Sequence, residues 1–588
     1  MPATAAGTRQ NVGSATLDPV VRIGGVGIAL GVVISAFGGI WDIQWHDDVG
    51  PDTFFTAPHL FLYAGATLVG LSAMAVVLAC TWLVAKGAAA AGPPLTPLLG
   101  RTFWGPPAFV VAGCGALTFL LFGLFDLWWH EVYGFDAVLD SPPHTGLGLG
   151  DLISITGAVA VGTLLVGRAR NAGRLRLLGL PVLVLAGGAA VFLVNSASWQ
   201  VGFAGSDPAA AESGLVRAAA AGALDGQLLF AAAVVALALL AVASVVRLAG
   251  AATLTALVFT LICAGSWVFS AWATPLYAEV VGLYPRDTAF GFPRIVAVLP
   301  DFVLAAAVAI DGVLAWARRR DLPVRRGVAL AGGIGMAVLA IFEIAVPNGP
   351  LVTALPLTSA AAMVMAAALI GALAGWAGWK LGVVLGRLGG DPATPAPRQP
   401  ALARGGAVPR AAAATVAVLA ALLAAPTAGA VEPVAVVHRE TTQAGPYAVS
   451  VGFSEWPMQA ERSLDILFDP EGGIADKTGT LTLIAPSGAE DEVRLVRHPR
   501  ARESWGLDIV ALPEPGRWSL RFAIEGPEGP GVGRLSISLL DRPGPPVLVG
   551  WLPALAVSGA MIGAVVVAWR RARPAKAPET WSWGWTRA

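Results

Sequence analysis

Apolar stretches of some twenty residues or more recur along the chain, at about 20–45, 58–85, 104–129, 144–167, 175–195, 224–248, 251–272, 297–317, 327–347, 354–386, 411–430 and 546–569. At 1.5 Å of rise per helical residue, a run of roughly 20 crosses the hydrocarbon core of a bilayer. No water is present there, so every backbone N–H and C=O must be paired within the segment, and the runs are predicted to be helices. With 56% hydrophobic and only 13% charged residues, the chain has more apolar surface than an aqueous fold can hide. The expected class is a polytopic α-helical membrane protein of about twelve spans.

Basic residues set the expected orientation. Arg168, Arg170, Arg174 and Arg176 follow the fourth run, and Arg318, Arg319, Arg320, Arg325 and Arg326 follow the eighth. Lys380, Arg387, Arg398, Arg404 and Arg410 follow the tenth, and Arg570, Arg571 and Arg573 the last. All fall on one side if both termini are inside the cytoplasmic (plasma) membrane. Residues 1–170 then form a region of four spans and 171–387 a region of six. The Pro/Gly/Ala/Arg-rich segment 388–410 reads as a cytoplasmic linker. Residues 411–430 read as a signal-like span ending in Ala428-Gly429-Ala430. Texture changes at 431–541, where polar and apolar residues alternate, as in Tyr447-Ala448-Val449-Ser450-Val451-Gly452-Phe453. Period-two alternation between Pro/Gly turns predicts an all-β sandwich, placed outside the membrane and tethered at both ends. A closing span at 546–569 and a cytoplasmic tail at 570–588 complete the expected order. The β segment loosely resembles small extracytoplasmic domains of the YtkA/CopC type.

Several chemistries are excluded. Zero net charge gives no footprint for nucleic acid. Cys80, Cys114 and Cys263 lie far apart in apolar runs and suggest neither a disulfide framework nor a zinc knuckle. There is no Walker motif, and seven methionines are too few for a soft-ligand relay of Cu(I).

Four of the six histidines fall in two look-alike motifs. The first reads Trp41-Asp42-Ile43-Gln44-Trp45-His46, then Pro51-Asp52-Thr53-Phe54-Phe55-Thr56-Ala57-Pro58-His59-Leu60. The second reads Phe125-Asp126-Leu127-Trp128-Trp129-His130, then Ser141-Pro142-Pro143-His144. In both, an Asp precedes a Trp-His pair by one helical turn, and a second His follows a proline after a loop. The copies lie about 84 residues apart, one helical hairpin, which indicates an internal duplication. Residues four apart on a helix share a face, so Asp42 and His46 can aim at one point, as can Asp126 and His130. His59 and His144 open the next helices and can fold back beside them. One carboxylate with two imidazoles suits Cu(II), zinc or non-haem iron. An aromatic belt at headgroup depth is the plainer explanation of such Trp/His clusters, but it does not account for Asp at the same offset twice.

The pattern D-x-x-W-H, a short gap, D-T-x-F-T, two residues and H resembles the metal-site segment of the C subunit of particulate methane monooxygenase and ammonia monooxygenase. Asp42, Trp45, His46, Asp52, Thr53, Phe55, Thr56 and His59 fall at matching spacing within 41–63, and Tyr63 suits the pattern. The resemblance implies copper, with Asp42, His46 and His59 as its ligands. The weaker copy at 125–144 keeps Asp126, Trp129, His130 and His144 but lacks the D-T-x-F-T core. The family subunit is much shorter and works beside separate subunits, whereas this chain has a duplicated hairpin and its own β segment.

Trp45, Asp52, Thr56, Trp129 and Asp151 are candidate outer partners of the ligands; Asp151 lies two turns beyond His144. Asp225, Asp301, Asp311 and Glu343 are candidate proton carriers, and His438 with Met458 or His498 is a candidate copper pair in the β segment. Three functions follow. One is a copper-dependent monooxygenase that oxidises a small apolar substrate with O2 and draws on an electron donor. Another is a protein that captures, senses or delivers copper, working with a copper chaperone. The third is a bis-histidine haem protein.

Overall fold

The computed structural model describes residues 11–50, 53–85, 95–98, 102–134, 141–171, 226–287, 289–293, 302–345, 357–388 and 434–572, with short pieces at 184 and 187–188. Two hairpins come first: α1 (Asn11–Asp48) with α2 (Ala57–Ala85), and α3 (Pro107–Tyr133) with α4 (Pro142–Asn171). A small ribbon of β1 (Thr96–Leu98) and β2 (Phe103–Gly105) lies between them. Five more helices follow: α5 (Gly226–Val246), α6 (Ala251–Val281), α7 (Val303–Arg319), α8 (Val324–Ala345) and α9 (Leu357–Leu388). One further helix, α10 (Val547–Ala572), follows the strands.

Among the described residues eight helices, α1–α6, α8 and α9, are long and apolar enough to cross a membrane by length and composition. Of the expected twelve, eight are thus seen among the described residues. The run at 297–317 appears as the 17-residue α7, whose apolar stretch ends at Arg318 and falls short of the roughly 20 residues a span needs. In α10 the described apolar part is only Leu548–Met561. The expected spans 175–195 and 411–430 lie outside the described residues, as do the linker and the tail.

The duplication is visible in the packing. A Cβ on Gly65 of α2 would meet the backbone N of Ser35 on α1 at 2.5 Å. A Cβ on Gly150 of α4 would meet the backbone N of Phe119 on α3 at the same 2.5 Å. The positions are equivalent: Gly150 is Gly65 one repeat on, and Phe119 corresponds to Ser35. Gly31, close to the Val69 backbone, recurs as Gly115 against Ser154. In a bilayer there is no hydrophobic force between helices, so small residues that let backbones approach carry the association. Gly65→Ile and Gly150→Ile should therefore each wedge a hairpin apart and destabilise it by about 1–3 kcal/mol. A lower unfolding midpoint in detergent would show this; a lipid-facing Leu71→Ala change should leave the midpoint nearly unmoved.

Nine strands form two antiparallel sheets. The first, in order β3-β4-β5-β9-β8, is built from His438–Ala444, Tyr447–Phe453, Leu464–Pro470, Ala501–Val510 and Arg497–His498. The second, in order β11-β10-β6-β7, is built from Gly529–Leu539, Gly516–Gly526, Thr478–Ile484 and Glu490–Arg494. Side chains alternate as the sequence predicts: along β11 Leu535, Ile537 and Leu539 are buried while Arg534, Ser536 and Ser538 are exposed. Inward residues of both sheets share one core, and Phe468 of the first meets Phe522 of the second edge to face at 5.3 Å. Each fully buried phenylalanine contributes about 1.5–3 kcal/mol.

Arg462 of this β region bonds the end of α3 directly, and Asp508 holds Arg286, which bonds the end of α1, so the β region lies at the end of the bundle that carries both Asp–His–His motifs.

Candidate metal centre

α1 continues to Asp48, which puts Asp42 and His46 one turn apart near its end. His59 is the third residue of α2. A local turn fixes its ring: Thr53 N–H donates to Thr56 Oγ1 at 2.6 Å, and Thr56 C=O accepts from Leu60 N–H at 3.0 Å. The Thr53 carbonyl then lies 3.0 Å from His59 Nδ1. A carbonyl can only accept, so Nδ1 carries the proton, and the neutral ring presents a lone pair at Nε2.

That lone pair faces Asp42 Oδ1 at 3.1 Å, and His46 Nε2 lies 3.9 Å from the same oxygen. Asp42 Oδ1 is buried and faces both imidazoles. The three donor atoms all lie within 4.8 Å of one another. A buried carboxylate oxygen opposite an imidazole lone pair is repulsive unless a cation, a proton or a metal ion, sits between them. The donor set thus fits a metal ion. Trp41, Phe61 and Phe269 pack together on α1, α2 and α6 just below it, giving the site an apolar flank.

The second motif is assembled more loosely. His130 Nε2 lies 3.4 Å from Asp126 Oδ2, whereas His144 Nε2 lies 3.8 Å from Oδ1. Here one carboxylate turns a different oxygen to each ring, and the three donors do not draw together as the first triad does. Asp126 Oδ1 is likewise buried. The two hairpins pack side by side, with Tyr63, one turn beyond His59, meeting Phe119 of α3 at 6.3 Å.

A further His/Asp cluster, Asp465, His498 and Asp508, lies in the β region. By distance it could also chelate an ion, but a cation is already there. Arg500 reaches Asp465 Oδ1 at 2.6 Å and Asp508 Oδ1 at 3.5 Å, and Arg286 holds Asp508 Oδ2 at 2.6 Å. His498 Nδ1 accepts from Arg500 N–H at 3.2 Å, so its proton is on Nε2, pointing at Asp465. Burial pushes the Asp465 carboxyl up, yet the His498 hydrogen bond and the Arg500 charge outweigh it and hold the group below its ordinary value of 3.8. We read this cluster as a buried ion-pair knot.

Comparison of the chain with family models, with curated proteins and with solved structures finds no match.

Of the expected outer partners, Thr56 orients His59 through the Thr53 turn. Trp45 is fully buried against Tyr277, at 4.9 Å, and packs α1 on α6. Trp129 stacks on Tyr133 at 4.2 Å. Asp151 shares a hydrogen bond with Ser35. Asp52 lies outside the described residues, as do Asp225 and Asp301. Asp311 accepts from Thr253 N–H at 2.8 Å and Thr253 Oγ1 at 2.7 Å, closing the start of α6. Glu343 accepts from Phe302 N–H at 3.2 Å at the start of α7. Both acids serve helix ends.

The expected copper pair in the β region is corrected. His438 stacks on Trp456 at 3.7 Å with Nε2 3.4 Å from Glu440, Met458 is in the core, and both His498 nitrogens are engaged. Sequence reading missed the Thr53 carbonyl and Arg286. A backbone acceptor has no sequence signature, and Arg286 stands 240 residues from the helix end it serves.

Proposed function

We propose that this chain is a membrane-embedded copper-binding protein whose centre is held by Asp42, His46 and His59, akin to the copper-site subunit of copper membrane monooxygenases. The observation that carries the reading is the convergence of Asp42, His46 and His59, whose donor atoms lie within 4.8 Å of one another, with Asp42 Oδ1 3.1 Å from His59 Nε2. Copper is favoured over zinc or non-haem iron by the resemblance of residues 41–63. Asp126, His130 and His144 form the second, looser position of the duplicated pair. A copper ion held by Asp42, His46 and His59 would supply redox chemistry with O2. The chain itself contributes a carboxylate to balance the ion's charge, a Thr53 carbonyl to fix the His59 ring, and an aromatic flank suited to a small apolar substrate entering from lipid. In this reading the chain is a copper-dependent monooxygenase served by an external electron donor. Both termini lie inside the plasma membrane, and the β region, as a sandwich, lies outside.

A second reading, capture or delivery of copper without catalysis, draws on the seating of the β region at the motif end of the bundle. A bis-histidine haem reading is less well supported. It gives Asp42 and Asp126 no role, whereas each lies between its two imidazoles.

The deciding experiment is metal content of the detergent-purified protein by mass spectrometry, with an absorbance spectrum and an Asp42→Ala control. One or two coppers per chain, reduced in the control, are expected. Copper-loaded protein with no metal above background would sink the proposal, and a Soret band would replace it with the haem reading. Oxygen uptake with short alkanes or ammonia then separates the monooxygenase from the carrier.

A further inference from the structure

The last four carbonyls of a helix have no partner inside it, and at both ligand-bearing helices their partners can be followed one by one. At the end of α1, Trp45 C=O accepts from Val49 and Gly50 N–H, both at 2.9 Å. His46 and Asp47 C=O accept from Arg286 NH1 at 3.0 and 3.5 Å, and Asp48 C=O accepts from Arg286 N–H at 2.7 Å. At the end of α3, His130 C=O accepts from Gly134 N–H at 2.9 Å. Glu131 and Val132 C=O accept from Arg462 NH1, and Tyr133 C=O accepts from Ser463 N–H at 2.9 Å. In each copy a guanidinium covers the negative end of the helix dipole, where a cation is favoured.

Both caps belong to, or are anchored by, the β region. Arg462 and Ser463 stand just before β5, and Arg462 Nε is fixed by Glu455 at 2.5 Å. Arg286 lies in the segment after α6, but its NH2 is held at 2.6 Å by Asp508 of β9, part of the ion-pair knot. The chain turns away from each helix at a glycine with positive φ, Gly50 at 100° and Gly134 at 80°. A Cβ on Gly50 would overlap Arg286 and Asp508, and one on Gly134 would overlap Ser463. The capped turn is in both cases the turn carrying a motif histidine, and in α1 Arg286 bonds the carbonyl of His46 itself.

We infer that the β region is a docked cap that positions the ligand-bearing ends of α1 and α3, so that its seating and metal affinity are thermodynamically linked. Arg286 and Arg462 are its positioning residues. This rests on the metal-site reading above. By reciprocity, the factor by which seating tightens the ion is the factor by which the ion tightens seating.

The test uses the full chain in detergent with Cu(II) as probe. Cu(II) affinity is measured by chelator competition, ligand geometry by electron paramagnetic resonance, and seating by amide hydrogen exchange at Ser463. Arg286→Lys keeps the charge but cannot bridge the carbonyls and Asp508 together. Arg462→Ala removes the other cap without touching a ligand, and Arg462→Lys should recover part of its effect. The expected result is Cu(II) affinity weakened by roughly 10–100-fold, as for loss of an outer partner of a metal ligand. It should come with a changed Cu(II) spectrum at saturation, and with Ser463 exchange that copper slows in the wild type. If Ser463 exchange rises in folded variants while affinity and spectrum stay unchanged, the linkage is overturned and the metal site stands. Exchange unmoved in both variants overturns the cap. A wild-type protein that binds no Cu(II), with Ser463 still protected, removes the metal-site reading and the linkage with it.

Discussion

His59→Ala should strip the first centre of its ion, whereas Thr56→Val should only loosen it. His59 is the one ligand supplied by α2, and its Nε2 is the nitrogen nearest the Asp42 oxygen, at 3.1 Å. Without it, Asp42 and His46 remain on a single helical turn, two donors where a tightly held transition metal takes three or more protein ligands. Thr56 acts at one remove: its hydroxyl holds the Thr53 turn, whose carbonyl sets the His59 tautomer. Loss of such an outer partner costs roughly 10–100-fold in affinity. Titration with a competing chelator resolves the two cases, and near-equal affinities for the two variants would remove His59 from the ligand set. His130→Ala should leave the first centre filled, and any copper it loses is the share held by the second motif.

The second large effect concerns stability. Replacing Arg500 by Met should destabilise the β region by about 3–5 kcal/mol, the cost of breaking a buried ion pair by removing one partner. Asp465 and Asp508 are each less than one-tenth exposed. With the guanidinium gone, Asp465 keeps only the His498 contact and the Ile509 N–H, at 3.3 Å. The same knot predicts a pH dependence. Asp465 titrates below its ordinary 3.8 in the folded chain, so its contribution is fully present above the unfolded value. That contribution is lost as pH falls through the lower, folded value. Hydrogen exchange in β5 and β9, followed through mild acid, should therefore rise steeply only at the acidic end, and Asp465→Asn should flatten the rise. An unchanged profile in Asp465→Asn would assign acid lability to other groups.

Much of this was legible in the sequence, for reasons that differ between elements. The spans at 20–45, 58–85, 104–129 and 144–167 could be read because length and apolarity are what a bilayer demands of any helix. At 297–317 the described helix is Val303–Arg319, and residues 297–301 lie outside the described residues. Alternation in Tyr447–Phe453 announced a strand, since period two leaves one face inward. Asp42, His46 and His59 were found because an i,i+4 pair has a fixed direction. The same rule placed Asp126 beside His130, but it could not foresee that Asp126 would offer separate oxygens to His130 and His144. His438 was misread because stacking on Trp456 depends on strand β3 pairing with β4, which composition does not encode. The caps at Arg286 and Arg462 were invisible for a plainer reason: their partners are backbone carbonyls, present at every residue.

The glycines that end the two ligand helices also measure lengths. His46 to Gly50 and His130 to Gly134 are each four residues, whereas Gly50 to His59 is nine and Gly134 to His144 is ten. The extra residue of the second copy was thus admitted after the glycine and not before it. An insertion between histidine and glycine would turn the helix end by about 100° and carry its carbonyls away from the guanidinium; one beyond the glycine only lengthens the connection to the next helix. For anyone grafting or re-engineering these hairpins, the four-residue interval is the part to keep, and the connection that follows can change length.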